Sequence, residues 1–233
     1  MRLPPRITSN LMKTAKKIFR IGGLTVLGFY ALVAVALVYL RFLPPLTTGV
    51  QAQRRVESLL RGEDYEKQYR FIPREDVGAN LRRAVVAAED TRFYEHRGFD
   101  WVEVQKARRD AERRGTAPRG ASTLTQQLVK NLFFTTHRSY VRKGLEVTIT
   151  PMAELILGKD RILELYVNVI EWGPGVYGAY AAAEHYYGVA PSDLSRNRAA
   201  RLAAVIPSPL SRSPQRMNSY AGTIEGRMRQ MGW

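Results

Sequence analysis

The sequence predicts a mainly α-helical protein with one transmembrane helix at its N-terminus. Residues 21–40 form a run of twenty residues without Asp, Glu, Lys, Arg or His, which is long enough to cross the hydrocarbon core of a bilayer. Beyond this run, apolar residues recur at spacings of three and four, as in amphipathic helices. No segment shows a convincing strand alternation, so the body is expected to be built from helices.

The apolar run is expected to be an uncleaved anchor. It continues into "RFLPPL" without the small-residue cleavage site of a signal peptide. The first twenty residues carry six Lys and Arg and no acid, so the positive-inside rule predicts a cytoplasmic N-terminus. We therefore expect a basic cytoplasmic tail over residues 1–20, a transmembrane helix over 21–40 and a juxtamembrane linker with a short helix over 41–70.

The charge of the chain narrows the class of partner. The chain has 36 Lys and Arg against 21 Asp and Glu, for a net charge of +15, and much of the excess lies beyond the anchor. A basic domain beside a membrane favours anionic lipid or a phosphate-bearing substrate. Nucleic acid is the usual alternative, but the predicted topology argues against it. Cysteine is absent, which excludes disulfides and thiolate zinc sites.

Glu89 and Asp90 come at the C-terminal end of a predicted helix, whose apolar face is formed by Leu81, Ala84, Val85 and Ala88. The carbonyls exposed at such an end make the negative pole of the helix dipole, which raises the pKa of a nearby carboxylate and suits a base. By themselves, these two acids would more often be surface residues paired with Arg92 or Arg97.

Two further helices carry polar clusters. In "GASTLTQQLVKNLF", Thr123 and Gln126 have the spacing of a capping box. The apolar face of the predicted helix is formed by Leu124, Leu128 and Leu132. A separate polar face is formed by Gln127, Lys130 and Asn131. A helix start of this kind is also a ready site for an anion. The stretch before it, 101–119, is expected to be helical and to end in a mobile Gly- and Pro-containing loop at 115–119.

The segment "SYVRKGLEVTITPMAELIL" predicts a helix in which Glu146 lies three and four residues after Lys143 and Arg142. This spacing is typical of an ordinary helix ion-pair cluster. Pro151 is expected to kink or interrupt the helix. Downstream, "KDRILELYVNVIEW" predicts a helix that ends in a Gly-Pro-Gly turn, and two more short helices follow.

Histidine and serine chemistry receives little support. His96, His137 and His185 form no recognisable triad or metal-ligand spacing. Ser122 therefore lacks the oriented base that a nucleophilic serine needs. The run Gly173 to Gly178 follows a helix rather than a strand, so a nucleotide-phosphate loop is not expected.

Four segments in one order, "EDTRFYEHRG", "GASTLTQQLVKN", "RKGLE" and "RILELYVN", closely resemble the motifs of the peptidoglycan glycosyltransferases, which polymerise lipid II. The resemblance covers roughly residues 71–210. It implies a two-lobed, lysozyme-like domain over 71–233, with Glu89 in the cleft between the lobes. It further implies the monofunctional, membrane-anchored form of Gram-negative bacteria, with the catalytic domain in the periplasm and the anchor in the inner membrane.

The resemblance also implies roles for individual residues. Glu89 corresponds to the catalytic base that deprotonates the 4-hydroxyl of the acceptor's N-acetylglucosamine, and Glu146 to the second essential glutamate. The positions that line the donor pocket, where cations hold the diphosphate, are Gln127, Lys130, Asn131, Arg138, Arg142 and Lys143. No cofactor is expected to be required, although a divalent cation, Mg²⁺ or Mn²⁺, at the diphosphate is left open. The implied partners are lipid II, the growing lipid-linked glycan and the membrane, with cell-division or other cell-wall synthesis proteins as further candidates.

Two other functions stay open from the sequence. One is a lysozyme-like glycan hydrolase or lytic transglycosylase, and the other is a non-catalytic, membrane-anchored cell-wall scaffold. A hydrolase ordinarily needs a carboxylic acid to protonate the leaving oxygen. A sugar diphosphate already has a good leaving group and instead needs cations on the departing phosphates, which the Lys and Arg cluster would supply.

Overall fold

The computed structural model describes residues 5–117 and 120–233, with the backbone alone for residues 5–15. This part of the chain contains ten α-helices and confirms the mainly α-helical prediction. The helices are α1 Pro5–Phe42, α2 Gly49–Arg61, α3 Ala79–Glu89, α4 Trp101–Arg114, α5 Leu124–Phe133, α6 Tyr140–Leu157, α7 Lys159–Val169, α8 Gly178–Tyr187, α9 Arg196–Ala203 and α10 Asn218–Gln230.

Helix α1 contains the predicted apolar run and extends beyond it at both ends. Its segment Lys16–Phe42, of 27 residues, is long and apolar enough to span a membrane, with a mean hydropathy of 2.3 in its most apolar window. Most of this segment is exposed, as expected of a helix surrounded by lipid. Near its end, Leu37 and Leu40 are buried against the body, and the Arg161 guanidinium donates to the Leu40 carbonyl at 2.8 Å.

The helical body is organised around α3 and α5. Helix α3 packs on α9 and α10, whereas α5 packs on α2, α6 and α7, and α7 also contacts α3. Both groups share one apolar core, whose largest fully buried side chains include Trp172, Tyr166 and Phe93. This packing brings the end of α3, where Glu89 lies, against α5.

Residues of the predicted linker form part of this body. Helix α2 is the predicted juxtamembrane helix, and the Thr48 side chain caps its first turn. Its apolar Val56, Leu59 and Leu60 are all exposed, so the packing of α2 on α5 does not use them.

A small sheet joins the body where none was predicted. Strands β1 (Gln68–Tyr69), β2 (Glu171–Gly173) and β3 (Val176–Tyr177) lie in the order β1-β3-β2. β3 is parallel to β1 and antiparallel to β2. The predicted Gly-Pro-Gly turn is thus the loop of a β-hairpin. Strands of two or three residues are too short to show an alternation, and β2 and β3 are buried on both faces.

Helix α6 runs unbroken through Pro151, so the expectation of an interruption was wrong. Proline removes one N–H and leaves the carbonyl four residues earlier without its helical donor. That residue, Val147, is exposed, so water can solvate its carbonyl. Burial of Ile149 and Ala153 on either side of the proline holds the helix in place.

Helix α4 ends at Arg114, and the following Gly115 has a φ of 62°, in the left-handed region. The helix thus stops where the sequence predicted the loop to begin. Of the loop predicted to be mobile, Pro118 and Arg119 lie outside the described residues. Helix α10 was not predicted, although its buried Ala221, Ile224 and Met228 have helical spacing.

Candidate active site

Glu89 is the last residue of α3, as the sequence predicted, and its side chain is half-buried. The Gln127 side chain on α5 donates from Nε2 to Glu89 Oε2 at 2.8 Å. The Tyr166 hydroxyl on α7 in turn donates to Gln127 Oε1 at 2.8 Å. Because the amide oxygen is engaged by the fully buried Tyr166, the amide nitrogen is directed at Glu89.

Burial is the main reason that the pKa of Glu89 is raised. The hydrogen bond from Gln127 and the charges of Lys130 and Arg212 act in the opposite direction. The helix dipole, which the sequence suggested as the cause, is offset at this end of α3. The Arg227 guanidinium donates to the carbonyls of Ala87 and Ala88 at 3.1 and 3.3 Å, which places a cation against the negative pole.

Asp90 has a structural role. Its carboxylate contacts His96 Nε2 at 3.0 Å and accepts from the Leu124 backbone N–H at 3.0 Å. It thereby ties the end of α3 to the start of α5. Neither acid of the pair is bonded to Arg92, which instead pairs with Glu95 at 2.8 Å.

Asp90, His96 and Asp100 bring ligand-type atoms within 4.8 Å of one another. These atoms are already engaged in hydrogen bonds. His96 Nδ1 accepts from the Gly98 N–H at 3.2 Å while Nε2 faces Asp90, and Asp100 caps α4 by accepting from the Glu103 N–H at 3.0 Å. The trio therefore serves as a structural junction.

Glu146 lies on α6 and is 2% exposed. Its two carboxylate oxygens form ion pairs with the Arg142 guanidinium and, at 3.3 Å, with Lys143 Nζ. Lys143 also donates to the Ser122 hydroxyl at 3.3 Å. The helix ion-pair cluster predicted from the spacing is thus present, but its carboxylate is buried rather than on the surface.

Lys130 on α5 is coupled electrostatically both to Glu89 and to Arg142, the partner of Glu146. Burial lowers its pKa, the nearby charge of Arg142 lowers it further, and Glu89 opposes the shift. Burial likewise lowers the pKa of Lys143, and Arg142 and Lys130 add to this effect. The charges of Lys130, Arg142 and Lys143 therefore act on one another, while Glu89 is coupled to Lys130 and Glu146 is paired with Arg142 and Lys143.

Six of the eight predicted site residues meet in this region: Glu89, Gln127, Lys130, Arg142, Lys143 and Glu146. Asn131 is buried, and its side chain donates to the Gln127 carbonyl at 2.8 Å. Arg138 is exposed and forms no ion pair with any residue whose side chain the structure describes. The structure thus places Asn131 in the support of α5 and Arg138 on the surface.

Three residues near Glu89 were missed. Tyr166 lies within the motif "RILELYVN" and on the buried face of α7, where a tyrosine hydroxyl needs a partner, so its position carried a signal. Arg212 and Arg227 act on α3 from about 120 to 140 residues away. No local spacing could have identified them.

Comparison with known proteins places the chain in a family. A family model described as Transglycosylase matches residues 54–231. Proteins named biosynthetic peptidoglycan transglycosylase are similar over most of both chains. The one from Pseudomonas entomophila is 48% identical over 204 residues, 86% of each chain. Those from Pseudomonas putida and Chromohalobacter salexigens are 46% and 44% identical over 210 residues, 88% of this chain and 89% of theirs. The chain therefore belongs to the transglycosylase family.

Proposed function

We propose that the protein is a peptidoglycan glycosyltransferase that polymerises lipid II into β-1,4-linked glycan and releases undecaprenyl diphosphate. The observation that carries this proposal is the pairing of a half-buried carboxylate with a cation cluster. Glu89 accepts from a neutral amide donor and is subject to the charge of Lys130, and Lys130 in turn is coupled electrostatically to Arg142 and Lys143. The names of the relatives support the same reaction.

In the proposed reaction Glu89 acts as the general base. Its carboxylate takes the proton of the acceptor's 4-hydroxyl, and the hydroxyl oxygen attacks the α-linked anomeric carbon of the donor. The bond from that carbon to the diphosphate breaks, and the diphosphate leaves with the electron pair. Displacement from the opposite face gives the β linkage. A carboxylate with a raised pKa is a stronger base, which favours the proton transfer.

The cations have a separate task in this proposal. Lys130, Arg142 and Lys143 stabilise the negative charge that develops on the departing diphosphate. Glu146 fixes the positions of Arg142 and Lys143 by its two ion pairs. Arg138, which is exposed, would contact the diphosphate of the bound substrate.

The residues around Glu146 do not fit a divalent cation. Both carboxylate oxygens face positively charged partners, which a bound Mg²⁺ or Mn²⁺ would have to displace. We infer that the three cations supply the charge stabilisation without a metal at this carboxylate.

We further propose that α1 anchors the protein in the inner membrane, with a cytoplasmic N-terminus and a periplasmic body. The apolar segment Lys16–Phe42 and the basic residues before it support this topology. The hydroxyl of Tyr30, inside the apolar run, is hydrogen-bonded to Thr148 Oγ1 on α6 at 2.6 Å. Such packing would keep the helix that carries Glu146 close to a membrane-bound substrate.

The proposal is tested by lipid II polymerisation with purified full-length protein. Glu89→Gln keeps the size and the hydrogen-bonding capacity of the side chain but removes the base, so we expect a rate loss of about 10³-fold. Because burial disfavours the charged carboxylate, the variant should unfold no more easily than the wild type.

Glu95→Gln is the matched control, since Glu95 is exposed and pairs only with Arg92 among the described side chains; its rate should be unchanged. A Glu89→Gln variant that retains more than a tenth of the wild-type rate would contradict the assignment of the base. Release of soluble fragments from finished cell-wall sacculi, without polymerisation of lipid II, would instead support the hydrolase.

A further inference from the structure

A concave site lies at α2, which begins seven residues after the apolar helix ends at Phe42. Its volume is about 620 Å³, within the range of small-molecule pockets. None of its lining residues is acidic and none belongs to the Glu89 or Glu146 clusters. The lining residues are Thr47, Gln51, Ala52, Arg55, Val56, Leu59, Tyr65 and Lys67.

One side of this α2 pocket has an unsatisfied donor. Lys67 Nζ donates to Gln51 Oε1 at 2.8 Å, which fixes the orientation of the amide. Gln51 Nε2 then has no hydrogen-bond partner in the described part of the chain, although the residue is only 2% exposed. A buried donor without an acceptor is costly, and an acceptor on a bound ligand would satisfy it.

The same side carries uncompensated positive charge. Lys67 Nζ lies 4.5 Å from the centre of the Tyr69 ring, and its pKa is lowered first by burial and then by Arg55. The neighbouring Arg54 pairs with Glu57 at 2.8 Å and with Glu171 at 3.2 Å. Arg55, by contrast, makes no ion pair with the side chains that are described. The first turn of α2 adds its positive pole.

The lining of the α2 pocket is apolar further along the helix. Val56 and Leu59 are 54% and 69% exposed, although both line a cavity rather than a core. Thr47, which also lines the pocket, follows the end of the apolar segment at Phe42 by five residues. A ligand that matches this lining carries a negative charge and a hydrocarbon chain.

We propose that the α2 pocket binds an anionic phospholipid, with its phosphate near Arg55, Lys67 and Gln51 Nε2 and an acyl chain along Val56 and Leu59. Bound lipid would hold α2, and through it α5, in a fixed position relative to the membrane surface. The site is separate from the catalytic clusters, so the inference does not depend on the proposed reaction.

The test is a binding titration of the full-length protein in a non-ionic detergent, read by native mass spectrometry. Dioctanoyl phosphatidylglycerol is the probe, and dioctanoyl phosphatidylcholine, inorganic phosphate and a short-chain polyprenyl phosphate are compared with it. We expect phosphatidylglycerol to bind most tightly. The double variant Arg55→Gln with Lys67→Gln should weaken its binding at least tenfold.

A matched control removes two positive charges elsewhere. Arg109→Gln with Arg229→Gln changes two exposed arginines outside the pocket and should leave the affinity unchanged. Arg55→Gln alone alters an exposed side chain and is expected to fold even if the double variant does not; it should weaken binding severalfold.

Equal affinity in the wild type and in Arg55→Gln would overturn the proposal. Inorganic phosphate that binds as tightly as phosphatidylglycerol would show a free-anion site, and tighter binding of the polyprenyl phosphate would assign the pocket to the substrate's carrier. Either result would overturn the assignment to phospholipid. No sugar substrate is present, so the outcome is separate from that of the Glu89→Gln assay.

Discussion

The C-terminal end of α3 and the middle of α6 each hold a glutamate in poorly solvated surroundings, but the two carboxylates have different hydrogen-bond and ion-pair partners. Glu89 receives one hydrogen bond from the neutral Gln127 amide, and burial raises its pKa. Glu146 is 2% exposed and is held directly by Arg142 and Lys143. One carboxylate can therefore accept a proton, whereas the other is held in ion pairs.

This difference suggests a division of labour. A base must be able to become protonated during the reaction, which a neutral hydrogen-bond donor permits. A carboxylate between two cations is stabilised as an anion and is better suited to positioning them. In the proposed mechanism, Glu89 therefore handles the proton while Glu146 organises the binding of the diphosphate.

Among the further changes that test this division of labour, the largest effect is expected from removing the charge of Lys130, which is coupled to both Glu89 and Arg142. Lys130→Met keeps most of the side chain but loses its charge, so we expect the polymerisation rate to fall by roughly 10²- to 10³-fold, as when an electrostatic donor to a transition state is deleted. Lys106→Met is the control, because Lys106 is exposed and pairs only with Glu103 among the described residues. A Lys130→Met rate within threefold of the wild type would remove Lys130 from the proposed mechanism.

The next effect concerns the contribution of the Glu146 ion pairs to the free energy of unfolding. Glu146→Ala leaves Arg142 without its buried partner, and we expect a loss of about 3 kcal/mol in the free energy of unfolding, measured by denaturant titration in detergent. Glu112→Ala breaks an exposed pair of the same i,i+4 type, with Arg108, and should change little. If the two variants lost the same free energy of unfolding, the Glu146 ion pairs would not hold Arg142 and Lys143 in position as proposed.

The smallest effect concerns the cation at the end of α3. Arg227→Gln weakens the hydrogen bonds to the carbonyls of Ala87 and Ala88, and we expect a loss of about 1 kcal/mol in unfolding free energy. Arg229→Gln, on the same helix but exposed, is the control. A more stable Arg227→Gln variant would show that the dipole of α3 is not offset by Arg227.

Much of the framework was predictable because it depends on local patterns. The apolar run, the helix that ends at Glu89 and the capping box of Thr123 and Gln126 are each encoded within a few residues, and the structure has all of them. The cluster of Arg142, Lys143 and Glu146 was also foreseen from spacing. Its burial was not, since burial depends on what packs against α6.

What could not be predicted depends on distant parts of the chain. The raised pKa of Glu89 was expected from the helix dipole, but its main cause is burial between α3, α5 and the segments that carry Arg212 and Arg227. The hydrogen bond from Tyr166 to Gln127 joins residues 39 positions apart. The strands of the small sheet are too short to leave a periodic signal.

The central claim is that Glu89 is a base whose pKa is raised mainly by burial and is partly lowered by the Gln127 donor. It is tested most directly by the pH dependence of kcat/KM for lipid II in the wild type and in Gln127→Met. A raised pKa keeps the base protonated to a higher pH. The acidic limb of the profile, in which kcat/KM falls as the base becomes protonated, should therefore have its midpoint above the ordinary carboxyl pKa of 4.5. Loss of the Gln127 donor, which favours the ionised form, should move that limb to still higher pH. An acidic limb at or below 4.5, or one that does not move in Gln127→Met, would contradict the account.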